Sequence, residues 1–131
     1  MTVPTEQIRI LLWMNRADAY FKLARSTLQK AGFDIVSCSP PKAVSEIECI
    51  EQGSIQLAIV EATPGLNVLP LLEQISPLTS LLIIADVSLL ETIPGWAFAK
   101  QVRAILTKPF RRTKFLASVL SIVREPLHAT A

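Results

Sequence analysis

Hydrophobic and polar positions alternate between two regimes along this chain. Short, nearly continuous apolar runs recur at "IRILLW" (Ile8–Trp13), "DIVSCS" (Asp34–Ser39), "QLAIV" (Gln56–Val60), "SLLIIA" (Ser80–Ala85) and "RAIL" (Arg103–Leu106). Runs of this length and branched composition are what strands buried on both faces look like. Between them the apolar positions change to helical spacing. Tyr20, Leu23, Ala24, Thr27, Leu28 and Ala31 share one face, with Asn15 as the expected N-cap and Gly32 as the stop. Val44, Ile47 and Ile50 repeat the spacing between Pro41 and Gly53, and residues 66–75 form a third helical segment closed by Ser76-Pro77. The fourth, "DVSLLETIPGWAFAKQV", is interrupted by Pro94-Gly95. The last runs from Arg111 to Arg124 with Phe115, Leu116, Val119, Leu120 and Val123 on one stripe.

Strands that alternate with helices demand a parallel sheet covered on both faces. The right-handed crossover rule then favours a doubly wound α/β fold, a five-stranded parallel sheet of order 2-1-3-4-5. In that arrangement a site forms at the carboxyl ends of strands 1, 3 and 4. Residues 1–125 make one domain, and 126–131, after Pro126, read as a tail or the start of a linker.

Composition narrows the classes. The chain has 131 residues, half of them hydrophobic, and a mean hydropathy of +0.42, as expected of a doubly covered sheet. The longest apolar run, Leu81 to Ala85, is far too short to cross a bilayer. The start, "MTVPTEQIR", lacks the basic and apolar regions of a signal peptide. Cys38 and Cys49 read as buried free thiols of a cytoplasmic protein. A net charge of +2 is too small for a nucleic-acid binder. His128 has no partner at any metal spacing, and no glycine-rich phosphate loop is present. No cofactor and no metal are expected.

Glu61 is the polar residue that the pattern singles out, because it follows the third apolar run directly and lies in the predicted crevice. Together with "ILTKPF" (Ile105–Phe110), whose Lys108-Pro109 follows the fifth strand, it carries a resemblance over roughly Gln7 to Arg124. The chain resembles the receiver domain of two-component response regulators, a flavodoxin-like fold. Receivers carry an acidic pair after strand 1, a phosphoacceptor Asp after strand 3, a Ser or Thr after strand 4, an aromatic residue in strand 5 and a Lys after it. Here those positions hold Met14 and Asn15, then Glu61, Ala85, Ile105 and Lys108. Only the lysine is kept.

Phosphoryl transfer to a carboxylate depends on positioning and on a cation that offsets developing charge. Mg²⁺ binds through carboxylates, and the acidic pair is missing. Glu is one methylene longer than Asp, which moves its oxygen by roughly 1.5 Å. Asp18 does not restore the acidic pair, since it lies beyond Asn15, where the first helix is expected to have begun, and an early-helix Asp is common for dipole reasons alone. The resemblance therefore implies a degenerate receiver, or pseudo-receiver, with Glu61 either paired to Lys108 or left as a partly solvated carboxylate. Its implied role is a phosphorylation-independent, non-enzymatic signalling or protein-interaction module, the N-terminal regulatory domain of a larger bacterial protein or a small adaptor. The alternatives are a receiver still weakly phosphorylated on Glu61 and a flavodoxin-like domain that binds a small molecule.

Two surface features complete the reading. Ile93, Trp96 and Phe98 surround the Pro-Gly break, and Arg111, Arg112 and Lys114 open the last helix. The resemblance implies a docking or homodimer face formed by helix 4, strand 5 and helix 5, for a protein partner or the chain's own output domain. The aromatic residues either anchor that face or simply cover the sheet, and the cations either meet an acidic partner or are solvated.

Overall fold

A computed structural model describes residues 8–15, 18–38, 55–62, 79–86 and 102–124. Its elements in chain order are β1 (Arg9–Trp13), α1 (Ala19–Lys30), β2 (Asp34–Cys38), β3 (Leu57–Ala62), β4 (Ser80–Asp86), β5 (Val102–Lys108) and α2 (Arg112–Arg124). The second, third and fourth helical segments and the tail expected from the sequence lie outside the described residues.

The five strands form one parallel sheet of order β2-β1-β3-β4-β5. Both faces are buried at the central strands β1, β3 and β4, which is why these read as continuous apolar runs, whereas the edge strands β2 and β5 are mostly half-buried. Along a strand, alternate side chains point to opposite faces. Ile10, Leu12, Met14, Leu57, Ile59, Leu82, Ile84 and Leu106 take one face. They form a single core cluster with Phe21, Ala24 and Leu28 of α1 and Phe115, Val119 and Ile122 of α2. Leu11, Trp13, Ala58, Val60, Leu81, Ile83 and Ala85 are buried on the other face.

Helix α1 is fixed at both ends. Asp18, in extended conformation (φ −76°, ψ 137°), is its N-cap, and the Tyr20 amide donates to Asp18 Oδ1 at 2.8 Å. This corrects the expected cap at Asn15: the helix begins three residues later, and the Asp18 amide donates to the Asn15 carbonyl. At the other end Gly32 takes a positive φ of 92°. The Gly32 amide donates to the Gln29 carbonyl and the Phe33 amide to that of Leu28. That is the two-bond stop that a left-handed glycine permits, and Phe33 and Leu28 are both in the core cluster.

Strand limits matter for the site. β3 continues through Glu61 to Ala62, and β5 continues through Thr107 to Lys108. Both extend two residues beyond the apolar runs, so Glu61 lies within a strand instead of following it. Glu61 therefore shares the α1/α2 face with Leu57 and Ile59. The β4–β5 ladder has an irregularity between Leu81 and Leu82, after which Ala104, Leu106 and Lys108 pair with Leu82, Ile84 and Asp86. A one-residue slip here would bring Thr107, instead of Lys108, to the face that Glu61 occupies.

Candidate functional site

The site is an ion-paired cluster at the carboxyl ends of β1, β3 and β5. Glu61 is 2% exposed. Its Oε2 accepts a hydrogen bond from Lys108 Nζ at 2.5 Å, and its Oε1 accepts one from the Asn15 amide at 3.2 Å. Lys108 Nζ also donates to Asp18 Oδ2 at 3.0 Å. Asp18 thus uses one oxygen to cap α1 and the other to hold the ammonium.

The ammonium is covered by aromatic rings. Its nitrogen lies 5.1 Å from the centre of the Tyr20 ring, within cation–π range. Tyr20 packs on Phe110 with centroids 4.7 Å apart, and Phe110 on the fully buried Phe115 at 5.8 Å. The bond between Lys108 and Pro109 is cis. This stack joins the start of α1 to the start of α2 over the ion pairs and limits the water that would otherwise screen them.

Protonation follows from these contacts. Burial alone pushes the Asp18 carboxyl up, but the Tyr20 amide and the Lys108 ammonium together bring it below the usual 3.8. Burial pushes Lys108 down, and its hydrogen bonds and attraction to Glu61 and Asp18 more than offset this, so it sits above the usual 10.5. Both groups are charged at neutral pH.

The sequence-derived positions divide into two groups. Glu61, Lys108 and the backbone of Asn15 come together as described. Met14 points into the core and is fully buried among apolar side chains. Ala85, paired in register with Ala62 and Thr107, and Ile105, paired with Ile83, alternate to the opposite face from Glu61. Ala85 is fully buried and Ile105 half-buried. Arg111 and Arg112 are exposed at the start of α2. Ile93, Trp96 and Phe98 lie outside the described residues. Asp18 is the member that sequence reasoning missed: it was expected within the first helix and instead caps it, facing Lys108. The signal available was its residue type, since Asp is a preferred N-cap directly before a helical apolar pattern.

The chemical consequence is that two carboxylates already share a fixed cation. Neither oxygen of Glu61 is without a donor, and among the described residues no group of three or more His, Cys, Asp or Glu side chains is placed to hold a metal. Among the same residues no helix is long and apolar enough to cross a membrane.

No protein-family model and no curated protein matches the chain. Solved structures do. A response-regulator receiver domain protein from Methanospirillum hungatei is 19% identical with a TM-score of 0.70, over 90% of this chain and 94% of that one. A response-regulator receiver protein from Sinorhizobium medicae is 23% identical with a TM-score of 0.65, over 92% and 97%. The signal receiver domain of an HD domain-containing protein from Pseudomonas fluorescens is 15% identical with a TM-score of 0.70, over 90% and 95%. At these identities the likeness establishes the fold: this chain has the fold of response-regulator receiver domains, with their sheet order.

Proposed function

We propose that the chain is a pseudo-receiver, a cytoplasmic signalling module of a bacterial two-component type whose conformation does not depend on phosphorylation and which acts by docking a protein partner or its own output domain. The observation that carries this reading is the Lys108 ammonium held between Glu61 and Asp18. In a phosphorylatable site a metal ion and a free carboxylate oxygen are needed together. Here both Glu61 oxygens are engaged, by Lys108 and by the Asn15 amide, and the side chain at the first acidic position, Met14, belongs to the core. The Ala85 position offers no hydroxyl to a phosphoryl oxygen. The Pseudomonas fluorescens neighbour, a receiver domain of a larger HD-domain protein, supports a regulatory role beside an output domain.

The test is incubation with acetyl phosphate and Mg²⁺, followed by intact mass. The parent chain and Glu61→Gln should both remain unmodified. A phosphorylated species in the parent that Glu61→Gln lacks would instead establish the rival reading, weak phosphorylation on Glu61.

A further inference from the structure

Helices α1 and α2 cover the same side of the sheet, share its core cluster and pack against each other. The stack of Tyr20, Phe110 and Phe115 joins their starts, so they run side by side in one direction, each roughly 18–20 Å long. Their exposed charges are of one sign. α1 exposes Lys22, Arg25 and Lys30, α2 exposes Arg112, Lys114 and Arg124, and Arg111 is exposed directly before α2. These are seven of the chain's 13 Lys and Arg, and neither helix holds any of its 11 Asp and Glu. The net charge of +2 therefore conceals a basic face on an otherwise acidic chain.

Helix stability does not account for this distribution. Lys30 and Arg124 lie in last turns, where a cation complements the dipole. Arg111, Arg112 and Lys114 crowd the start of α2, where a cation opposes it. Lys22 and Arg25 are like charges three residues apart, hence neighbours on α1. Among the described residues none of the seven is in an ion pair. Asp18, the carboxylate at the start of α1, is taken up by Lys108 and the Tyr20 amide.

We infer that this two-helix face binds the anionic headgroups of a lipid bilayer, lying on the surface without insertion. The occupant follows from the rest of the face. Its other exposed residues are Ala19, Gln29, Thr113, Ala117 and Ser121, all small or neutral. They offer no bulky apolar anchor for a protein partner and no aromatic ring on which bases could stack. A DNA duplex rewards an element inserted into a groove, whereas both helices here lie flat on the sheet. What remains is a broad field of separated cations, which a planar anionic layer complements, each cation near the surface adding to the affinity. A helix is about 10 Å thick, about one Debye length at moderate salt. A layer touching the helices thus feels their cations and is screened from charge behind the sheet. The inference rests on where the charges lie and is independent of the pseudo-receiver reading.

Co-sedimentation of the full chain with phosphatidylcholine vesicles, with and without phosphatidylserine, tests it, in parallel with binding to duplex DNA and to an oligoglutamate peptide. The expected result is binding only to the vesicles that contain phosphatidylserine, weakened by added salt. Lys22→Gln/Lys114→Gln takes one cation from each helix and should weaken binding about tenfold or more. Lys42→Gln/Lys100→Gln removes the same charge outside the two helices and should bind within about twofold of the parent. Urea midpoints show whether both variants fold as the parent does. No binding to phosphatidylserine vesicles, equal binding to neutral ones, an equal loss in the two variants, or tighter binding to DNA or the peptide would each overturn the inference.

Discussion

Asp18 and Lys108 lie 90 positions apart in the chain and meet at 3.0 Å, so the first turn of α1 is tied by charge to the last residue of β5. The same ammonium holds Glu61 of β3. One lysine thus links two strands and a helix start, and most of the consequences can be measured as stability.

Truncating the lysine removes the cation and leaves a buried carboxylate. Lys108→Ala should cost about 3 kcal/mol, the usual penalty for breaking a buried pair from one side. Replacing both partners, as in Glu61→Leu/Lys108→Met, should recover most of that, since no buried charge is then left unpaired and Asp18 can turn to water. Urea unfolding of the parent, Glu61→Leu, Lys108→Met and the double variant, with Lys108→Ala alongside, checks this. A Lys108→Ala chain as stable as the parent would remove the ion pair from the account.

Asp18 has two roles that different substitutions separate. Asp18→Asn keeps a capping oxygen and loses the charge, whereas Asp18→Ala loses both. The Ala variant should be less stable than the Asn variant by about 1 kcal/mol, and its amide exchange should rise at Tyr20 and Phe21. Equal exchange in the two variants would mean that the cap contributes nothing.

The pH dependence has a definite sign at each end. Asp18 titrates below its ordinary 3.8 in the folded chain, so its contribution is present above that value and is lost as pH falls through the folded-state pKa. Lys108 titrates above its ordinary 10.5, so its contribution is complete below that value and is lost as pH rises through the folded-state pKa. Stability attributable to the two should therefore be flat from about pH 5 to pH 9, and Asp18→Asn should make the acid limb shallower. Denaturant midpoints across this range measure it, and an acid limb as steep in Asp18→Asn as in the parent would contradict the assignment.

The roof over the cluster yields a further prediction. Tyr20→Leu keeps an apolar cover but removes the cation–π contact and the ring that packs on Phe110. It should cost about 1 kcal/mol and should make the Lys108 pair more sensitive to salt, measured as unfolding free energy in low and high NaCl. A salt response identical to the parent's would show that the ring does not shield the pair.

The sheet was readable because the three central strands, β1, β3 and β4, are buried on both faces, so Leu11, Leu12, Ile83 and Ile84 leave no polar interruption to misread. The strand ends were harder. Glu61 and Thr107 look like loop residues by polarity, yet ladder pairing with Ile84 and Ala85 keeps them in strands. The Glu61–Lys108 pair was open to inference, since both follow apolar runs that the fold places near each other. Asp18 was not, because its position depends on the path between β1 and α1. The helix begins after Asp18, whose carboxylate meets Lys108 of β5. Met14 illustrates the converse: its residue type supplies no carboxylate at that position, and its burial in the core shows what it does instead.

The proposal to be tested is that, with Met14 and Asn15 in place of an acidic pair and both Glu61 oxygens engaged by Lys108 and the Asn15 amide, the fold does not respond to phosphorylation. Backbone amide spectra recorded through a titration with Mg²⁺ and beryllofluoride test it most directly. The account predicts no saturable shift at Asn15, Glu61 or Lys108, and no change in the Asp18–Lys108 pairing reported by the Tyr20 amide. Saturable shifts at those residues, absent in Glu61→Gln, would contradict it.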